Sequence, residues 1–176
     1  MKVIGISGSL RKASTNTGLL RCAAQHIPQG MDFEILDIGD IPLYNGDLDK
    51  PDSVKRVVAK MAEADALVLA CPEYNYSIAP ALKNVLDWAS REKDNAALAG
   101  KPVAIMGSGG MGSARAQYHL RQVCVILDLH PLNKPEVFGR AFGGEFDAAG
   151  NVTDEKLAHK VAEQMAALKV WAEKLL

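Results

Sequence analysis

The feature that most constrains this chain is the regular alternation of short apolar runs with longer stretches of helical period. Val3-Ile4-Gly5-Ile6-Ser7 reads as a buried strand, and a polar loop from Gly8 to Thr15 leads into a helix over 16–27. Phe33 to Ile38 reads as a second strand. Within 52–63, Val54, Val57, Val58 and Met61 recur at spacings of three and four, which is one face of a helix. Ala66-Leu67-Val68-Leu69-Ala70 is apolar at every position, as a strand covered on both faces must be. A helix over 80–90, a strand over 103–106 and a helix over 113–129 follow. The last strand falls within 130–138, where Pro131 and Pro135 suit only a sheet edge. The final helix is expected to take Thr153 as N-cap, with Asp154 and Glu155 in its first turn. Five strands alternating with five helices build βαβ units. The fold class is therefore α/β, a doubly wound parallel sheet with helices on both faces. No linker, repeat or low-complexity stretch interrupts the pattern, so a single domain over 1–176 is expected.

Charge and cysteine content narrow the function classes. Twenty Lys and Arg stand against twenty-one Asp and Glu, a net charge of −1. No surplus of cations is available to offset phosphates, which argues against a nucleic-acid or anionic-membrane binder. Cys22, Cys71 and Cys124 are odd in number, far apart and without C-x-x-C spacing, so neither a disulfide scaffold nor a cysteine-rich zinc site is expected. A cytoplasmic location follows as the expectation. The apolar run at Val3–Ile6 is too short for a secretory signal, and nothing approaches the roughly 18 apolar residues of a membrane-crossing helix. His26, His119, His130 and His159 show no metal-ligand spacing and read as surface or interface residues; no metal site is expected.

In doubly wound sheets ligands bind beyond the carboxyl ends of the strands, where the winding direction reverses. Function is therefore expected in the loops after Ser7, Ala70 and Met106. The first, Gly8 to Thr17, opens a helix, where free N–H groups and the dipole favour an anion. Ser9, Ser14, Thr15, Asn16 and Thr17 add hydroxyl and amide donors, and Arg11 adds a planar fork suited to phosphate oxygens. Capping alone needs one such side chain, not five. No glycine precedes Lys12 as a Walker A loop requires, and Gly5-Ile6-Ser7-Gly8-Ser9 ends in Ser where a nucleophile elbow has Gly. A phosphate monoester fits best. The second loop, Cys71 to Pro80, joins Pro72, Glu73, Tyr74, Asn75, Tyr76 and Ser77 into a wall suited to a flat aromatic ligand. Cys71 reads as a small buried hydrophobe, and Glu73, without a paired carboxylate, has no proton-transfer role. The third loop, Gly107-Ser108-Gly109-Gly110-Met111-Gly112, satisfies G-x-G-x-x-G, yet it follows the fourth strand whereas the dinucleotide fingerprint belongs to the first. Its glycines read as letting backbone donors approach the edge of a ring.

Taken together, the segments GSLRKASTN, IPLYNGDLD, PEYNYS with LKNVLDWAS, and GSGGMGSARAQYHLRQ resemble the NADPH-dependent FMN reductase family, the flavodoxin-like quinone and chromate reductases. The resemblance covers essentially the whole chain. It implies a flavodoxin-like sheet of order 2-1-3-4-5 and bound FMN. The FMN phosphate would lie on Ser9, Arg11, Ser14, Asn16 and Thr17, with Thr15 among the binding residues. The isoalloxazine would rest against Pro72, Glu73, Tyr74, Asn75 and Tyr76, with Ser108 and Gly109 at its far edge and with Ser77 and Gly110 among the binding residues. One departure concerns the second loop, where Ala79 stands in the position the family usually gives to proline and Pro80 comes one residue later.

Because the flavin carries the redox chemistry, taking hydride from NADPH or NADH and passing electrons to an acceptor, no catalytic dyad or triad is needed. Quinones, chromate, azo compounds and free flavin are all expected acceptors. The competing reading is a flavodoxin-type electron carrier, which a net charge of −1 disfavours because carriers dock through strongly acidic surfaces. An acyl hydrolase is a third reading. Arg115, Tyr118, His119 and Gln122 share one helix face, and the family's dimers and tetramers imply a homodimer or homotetramer with Arg115, Tyr118 and Glu136 at the interface.

Overall fold

A computed structural model describes residues 1–176. Along the chain run β1 (Lys2–Ser7), α1 (Thr15–Gln25), β2 (Asp32–Leu36), α2 (Asp52–Glu63), β3 (Ala66–Ala70), β4 (Glu73–Tyr74), β5 (Ser77–Ile78) and α3 (Pro80–Ala89). A 3-10 turn over Lys93–Asn95 precedes β6 (Pro102–Gly109), α4 (Ala114–Ile126), β7 (His130–Pro131), β8 (Val137–Arg140) and α5 (Glu155–Leu175). No helix is long and apolar enough to cross a membrane.

Strand alternation decides which layer each side chain serves. Ile4, Ile6, Leu67, Leu69, Val103 and Ile105 pack with α2, α3 and α4. Val3, Ala66, Val68, Ala70, Ala104 and Met106 face α1 and α5 instead. Leu67 is fully buried in the first of these layers, so Leu67→Ala would cost about 2–5 kcal/mol. The second layer is built of smaller residues, and Gly5 shows why. A Cβ there would stand 2.7 Å from the Phe33 ring and 3.3 Å from Leu20, so close packing of the helix layer on β1 requires the glycine.

The main sheet is parallel, in the order β2-β1-β3-β6 followed by β7, with β8 also on β6. β7 pairs with Pro102 and Val103, and β8 pairs with Met106 to Gly109. The expected flavodoxin-like order therefore stands, but its fifth position holds two short pieces instead of one strand over 130–138. Pro131 and Pro135 lack the N–H a continuous ladder requires, and the chain leaves the sheet between them.

Two helix starts differ from expectation. α1 begins at Thr15, capped by Ser14, whose Oγ accepts the Thr17 N–H at 3.2 Å. α5 is capped by Asp154, not Thr153: its carboxylate accepts the Leu157 N–H at 2.7 Å, and a charge there also complements the helix dipole. An unexpected element is the antiparallel hairpin β4–β5, which pairs Glu73 with Ile78 and Tyr74 with Ser77. The winding reverses between β1 and β3, since α1 packs on one face of the sheet and α3 on the other. Three loops meet at that end.

Candidate functional site

The loops after β1 and β3 touch first. A Cβ on Gly8 would stand 2.9 Å from Pro72 Cδ and 3.1 Å from Ala79 Cβ, so only glycine lets the two backbones cross. Beyond Gly8, Ser9 N–H donates to Ser7 Oγ at 3.2 Å. At the start of α1 the Thr17 and Gly18 N–H groups go to Ser14, while those of Thr15 and Asn16 find no partner within the chain. Two free donors at the positive end of a helix make an anion site. Arg11 reaches the same space; one of its guanidinium nitrogens donates to the Ala13 carbonyl at 2.8 Å, leaving other N–H groups free.

The Asn16 side chain does something else. Its Nδ2 donates to the Ser108 carbonyl at 3.0 Å, and its Oδ1 accepts the Ser108 N–H at 2.9 Å. The amide expected to hold a phosphate thus joins the first loop to the third, and only its backbone N–H faces a ligand. Ser108 is 2% exposed, and its Oγ is buried with no hydrogen-bond partner. Along the third loop the glycines divide by cause. A Cβ at Gly107 would fall 2.3 Å from the Cys71 carbonyl, so packing demands glycine there. At Gly109 and Gly110 a Cβ would meet nothing closer than 3.4 Å. No atom of the chain forbids a side chain at these two positions; the open cleft in front of them is what glycine preserves.

The second loop is a two-residue hairpin. Asn75 and Tyr76 both have positive φ, 50° and 67°, as a type I′ turn requires. Asn tolerates this backbone, but a left-handed Tyr costs about 1–3 kcal/mol. The Arg115 guanidinium lies 4.1 Å from the Tyr76 ring centroid, a contact of about 0.5–1 kcal/mol at an exposed site. That offsets only part of the strain. The turn persists because both its strands are pinned to α4. Glu73 Oε2 accepts the N–H groups of Arg115 at 3.0 Å and Ala116 at 3.4 Å, and Oε1 pairs with the Arg115 guanidinium at 3.1 Å. On the other strand, Ser77 Oγ contacts His119 Nδ1 at 3.2 Å. Glu73 therefore caps α4, whose own N-cap Ser113 makes no side-chain cap bond. Burial pushes the Cys71 thiol up to about 12, which leaves it a packed hydrophobe and no nucleophile.

One cleft gathers Ser9, Arg11, Ser14, Thr15 and Asn16 from the first loop, Pro72, Glu73 and Tyr74 from the second, and Ser108, Gly109 and Gly110 from the third. Thr17 turns toward a neighbouring groove with Leu36 and Asp37. Asn75, Tyr76 and Ser77 lie on the hairpin, outside the cleft lining. Ala141 and Phe142 complete the lining from the turn after β8, which sequence reasoning missed because nothing in Arg-Ala-Phe-Gly-Gly marks a ligand wall. The sequence places Arg115, Tyr118 and Glu136 together at an expected subunit interface. Within one chain Arg115 is held by Glu73, and the Tyr118 hydroxyl meets Glu136 Oε1 at 3.4 Å. Lys134, hydrogen-bonded to Glu136, holds that carboxyl below its ordinary range.

A doubly wound parallel sheet with free amide donors and a glycine loop at its reversal crevice defines a flavodoxin-like flavoprotein. The description of NADPH-dependent FMN reductases matches residues 1–143, and the chain belongs to that family. It is 49% identical to an NAD(P)H-dependent FMN reductase of Pseudomonas aeruginosa, over 99% of this chain and 97% of the relative. It is 43% identical to an NADPH:quinone oxidoreductase of Arabidopsis thaliana, over 99% and 93% of the two chains. Among solved structures it superposes on the flavoenzyme NAD(P)H:(acceptor) oxidoreductase FerB of Paracoccus denitrificans with a TM-score of 0.88 at 35% identity, covering 99% of this chain and 98% of that one.

The residues present fit FMN. The unpartnered Thr15 and Asn16 N–H groups, with the Ser9 hydroxyl and Arg11, suit its phosphate. The open backbone of Gly109 and Gly110 suits the polar edge of its ring.

Proposed function

We propose that this chain is an FMN-dependent NAD(P)H oxidoreductase that reduces quinones and other small acceptors, acting as one flavodoxin-like FMN-binding domain over 1–176. The single observation that carries the reading is the pair of free N–H groups at Thr15 and Asn16 at the start of α1, in one cleft with Arg11 and the open backbone of Gly109 and Gly110. Bound FMN supplies hydride acceptance from a nicotinamide and electron return to an acceptor. The chain's own part is binding and orientation. Ser9, Ser14, Arg11 and the first turn of α1 hold the phosphate, while Pro72, Tyr74 and Gly109–Gly110 bound the ring. Glu73 and Asn16 keep the three loops in register. Asn75, Tyr76 and Ser77 shape the rim through the hairpin, and Thr17 braces the loop from the groove behind it.

Family membership and the reductase names of the relatives favour an enzyme over an electron carrier. Quinones are the acceptor class supported by a relative's name; chromate, azo compounds and free flavin are further acceptors that an open cleft admits. The free, buried cysteines suit a reducing cytoplasm. We also propose a homodimer or homotetramer in which Tyr118, Glu136 and the outer edge of Arg115 meet a second copy. Exposed Tyr118, Val125 and Ile126 on α4 support that face.

The test is an absorbance spectrum and flavin assay of the purified protein, then kcat/KM with NADPH and NADH against a quinone panel. One FMN per chain and quinone reduction by either nicotinamide are expected. A flavin-loaded protein that only a protein partner reduces would overturn the enzyme reading.

A further inference from the structure

Phe142 is 90% exposed, yet it lines the cleft. Leaving a phenylalanine in water forgoes the burial of its whole ring, and nothing in the chain covers this one. Its exposure does not come from a loose loop. The turn after β8 is tied at both ends: Glu145 accepts the Arg140 N–H at 2.6 Å and Arg140 Nε at 2.7 Å. Gly143 N–H closes the turn on the Arg140 carbonyl at 3.0 Å, and Ala141 N–H donates to the Gly109 carbonyl at 3.0 Å. The backbone that carries Phe142 is thereby tied to the glycine loop, and the ring edge lies 3.9 Å from where a Gly110 Cβ would stand. Tyr74, 42% exposed, lines the same cleft. An uncovered aromatic ring on a tied turn at the mouth of a cleft is a surface suited to a flat partner.

We propose that Phe142 is a specificity-determining residue that packs against the planar conjugated ring of the quinone acceptor. This rests on the reading of the cleft as the FMN site of a quinone reductase. The quinone is favoured over the nicotinamide donor because it has little besides its ring to be held by. A dinucleotide also offers phosphates and ribose hydroxyls, so one apolar contact is a small share of its binding.

The experiment compares wild type, Phe142→Ala and Phe142→Tyr as flavin-loaded proteins. Three readouts are taken: calorimetric titration with 1,4-naphthoquinone in the absence of donor, steady-state kinetics with 1,4-naphthoquinone or ferricyanide, and sedimentation. In Phe142→Ala, the naphthoquinone Kd and KM should rise about three- to tenfold. The KM for NADPH, the turnover of ferricyanide (which has no planar ring), FMN content and sedimentation should be unchanged. Phe142→Tyr, which keeps the ring, should restore the quinone affinity. An unchanged naphthoquinone Kd in Phe142→Ala overturns the proposal, as does an effect confined to NADPH. Loss of FMN or a changed sedimentation coefficient also overturns it, because the ring would then belong to the cofactor cradle or to a subunit contact. A wild-type protein that holds FMN but reduces no quinone overturns the underlying reading as well, a result distinct from a silent substitution in an active enzyme.

Discussion

The side-chain amide of Asn16 pairs with both backbone groups of Ser108, donating to its carbonyl at 3.0 Å and accepting its N–H at 2.9 Å. They stand 92 positions apart in the sequence, and their contact holds the loop after β1 against the loop after β6. Both residues are buried, so neither backbone group has water as an alternative partner.

Asn16→Ala should therefore strand a buried donor and a buried acceptor, destabilising the protein by about 2–4 kcal/mol. Thermal unfolding of the flavin-free protein measures this. Because the Asn16 backbone N–H survives the substitution, FMN affinity should fall less than stability does. A melting temperature equal to wild type would show that the pairing contributes nothing.

Arg11→Ala gives the opposite pattern. Arg11 is exposed, and the one partner its side chain has is the Ala13 carbonyl at 2.8 Å. Ligand-free stability should stay within about 0.5 kcal/mol of wild type. FMN affinity should fall about tenfold or more with loss of a charge-assisted contact of about 1.5–3 kcal/mol. Fluorescence titration of FMN reads the outcome, and an unchanged Kd rules Arg11 out of the phosphate site.

Glu73→Ala removes the cap that β4 supplies to α4. The N–H groups of Arg115 and Ala116 lose their acceptor, and the guanidinium over Tyr76 loses its pair. A stability loss of about 1–2 kcal/mol is expected from the cap alone. Released from α4, the hairpin should exchange its amide protons faster at Tyr74 and Ser77, which hydrogen-exchange measurement detects. Protection equal to wild type would mean that the hairpin is held by other contacts.

Acid should loosen the loop after β1 through Asp147. Its carboxylate accepts the Asn151 side-chain N–H at 3.0 Å and the backbone N–H groups of Asn151 and Ala149, which holds its pKa below the ordinary carboxylate range. A depressed folded-state pKa contributes stability above the unfolded value, near pH 4, and that contribution is lost as pH falls through the folded value. The loop matters because Gly150, at φ +81°, packs on the backbone of Ala13 and Ser14, where a Cβ would stand 2.8 Å from the Ser14 carbonyl. Asp147→Asn should flatten the acid limb of the stability–pH curve and weaken FMN binding at neutral pH. An acid limb identical to wild type would remove Asp147 from the account.

With one cleft serving both substrates, steady-state data for NADPH and a quinone should give parallel double-reciprocal lines. Intersecting lines would place donor and acceptor on the protein together.

The layered fold was legible in the sequence because each strand carries its own signal. β3 is apolar at all five positions since both its faces are covered, and α2 repeats apolar residues at helical spacing. Those are local patterns that burial imposes on neighbouring residues. The meeting of the three loops in one cleft was legible for the same reason, as parallel strands all open their loops at one end. Roles within the site were not. Asn16, Glu73 and Thr17 carry the right chemistry for a phosphate or a ring, but whether a polar group meets a ligand or the protein depends on which distant backbone stands beside it. Ser108 claims Asn16, α4 claims Glu73, and Thr17 lines the neighbouring groove together with Leu36 and Asp37. The hairpin turn at Asn75–Tyr76 escaped notice because Tyr has no local preference for positive φ; packing against Arg115 and α4 imposes it. By itself the sequence determined the sheet, its winding and the three loops that form the cleft, all set by near-neighbour periodicity. Only the tertiary structure decided which polar groups are already satisfied and which, like the N–H groups of Thr15 and Asn16, remain without a partner in the chain. Hydrogen-bond satisfaction is a property of contacts between residues far apart in the chain.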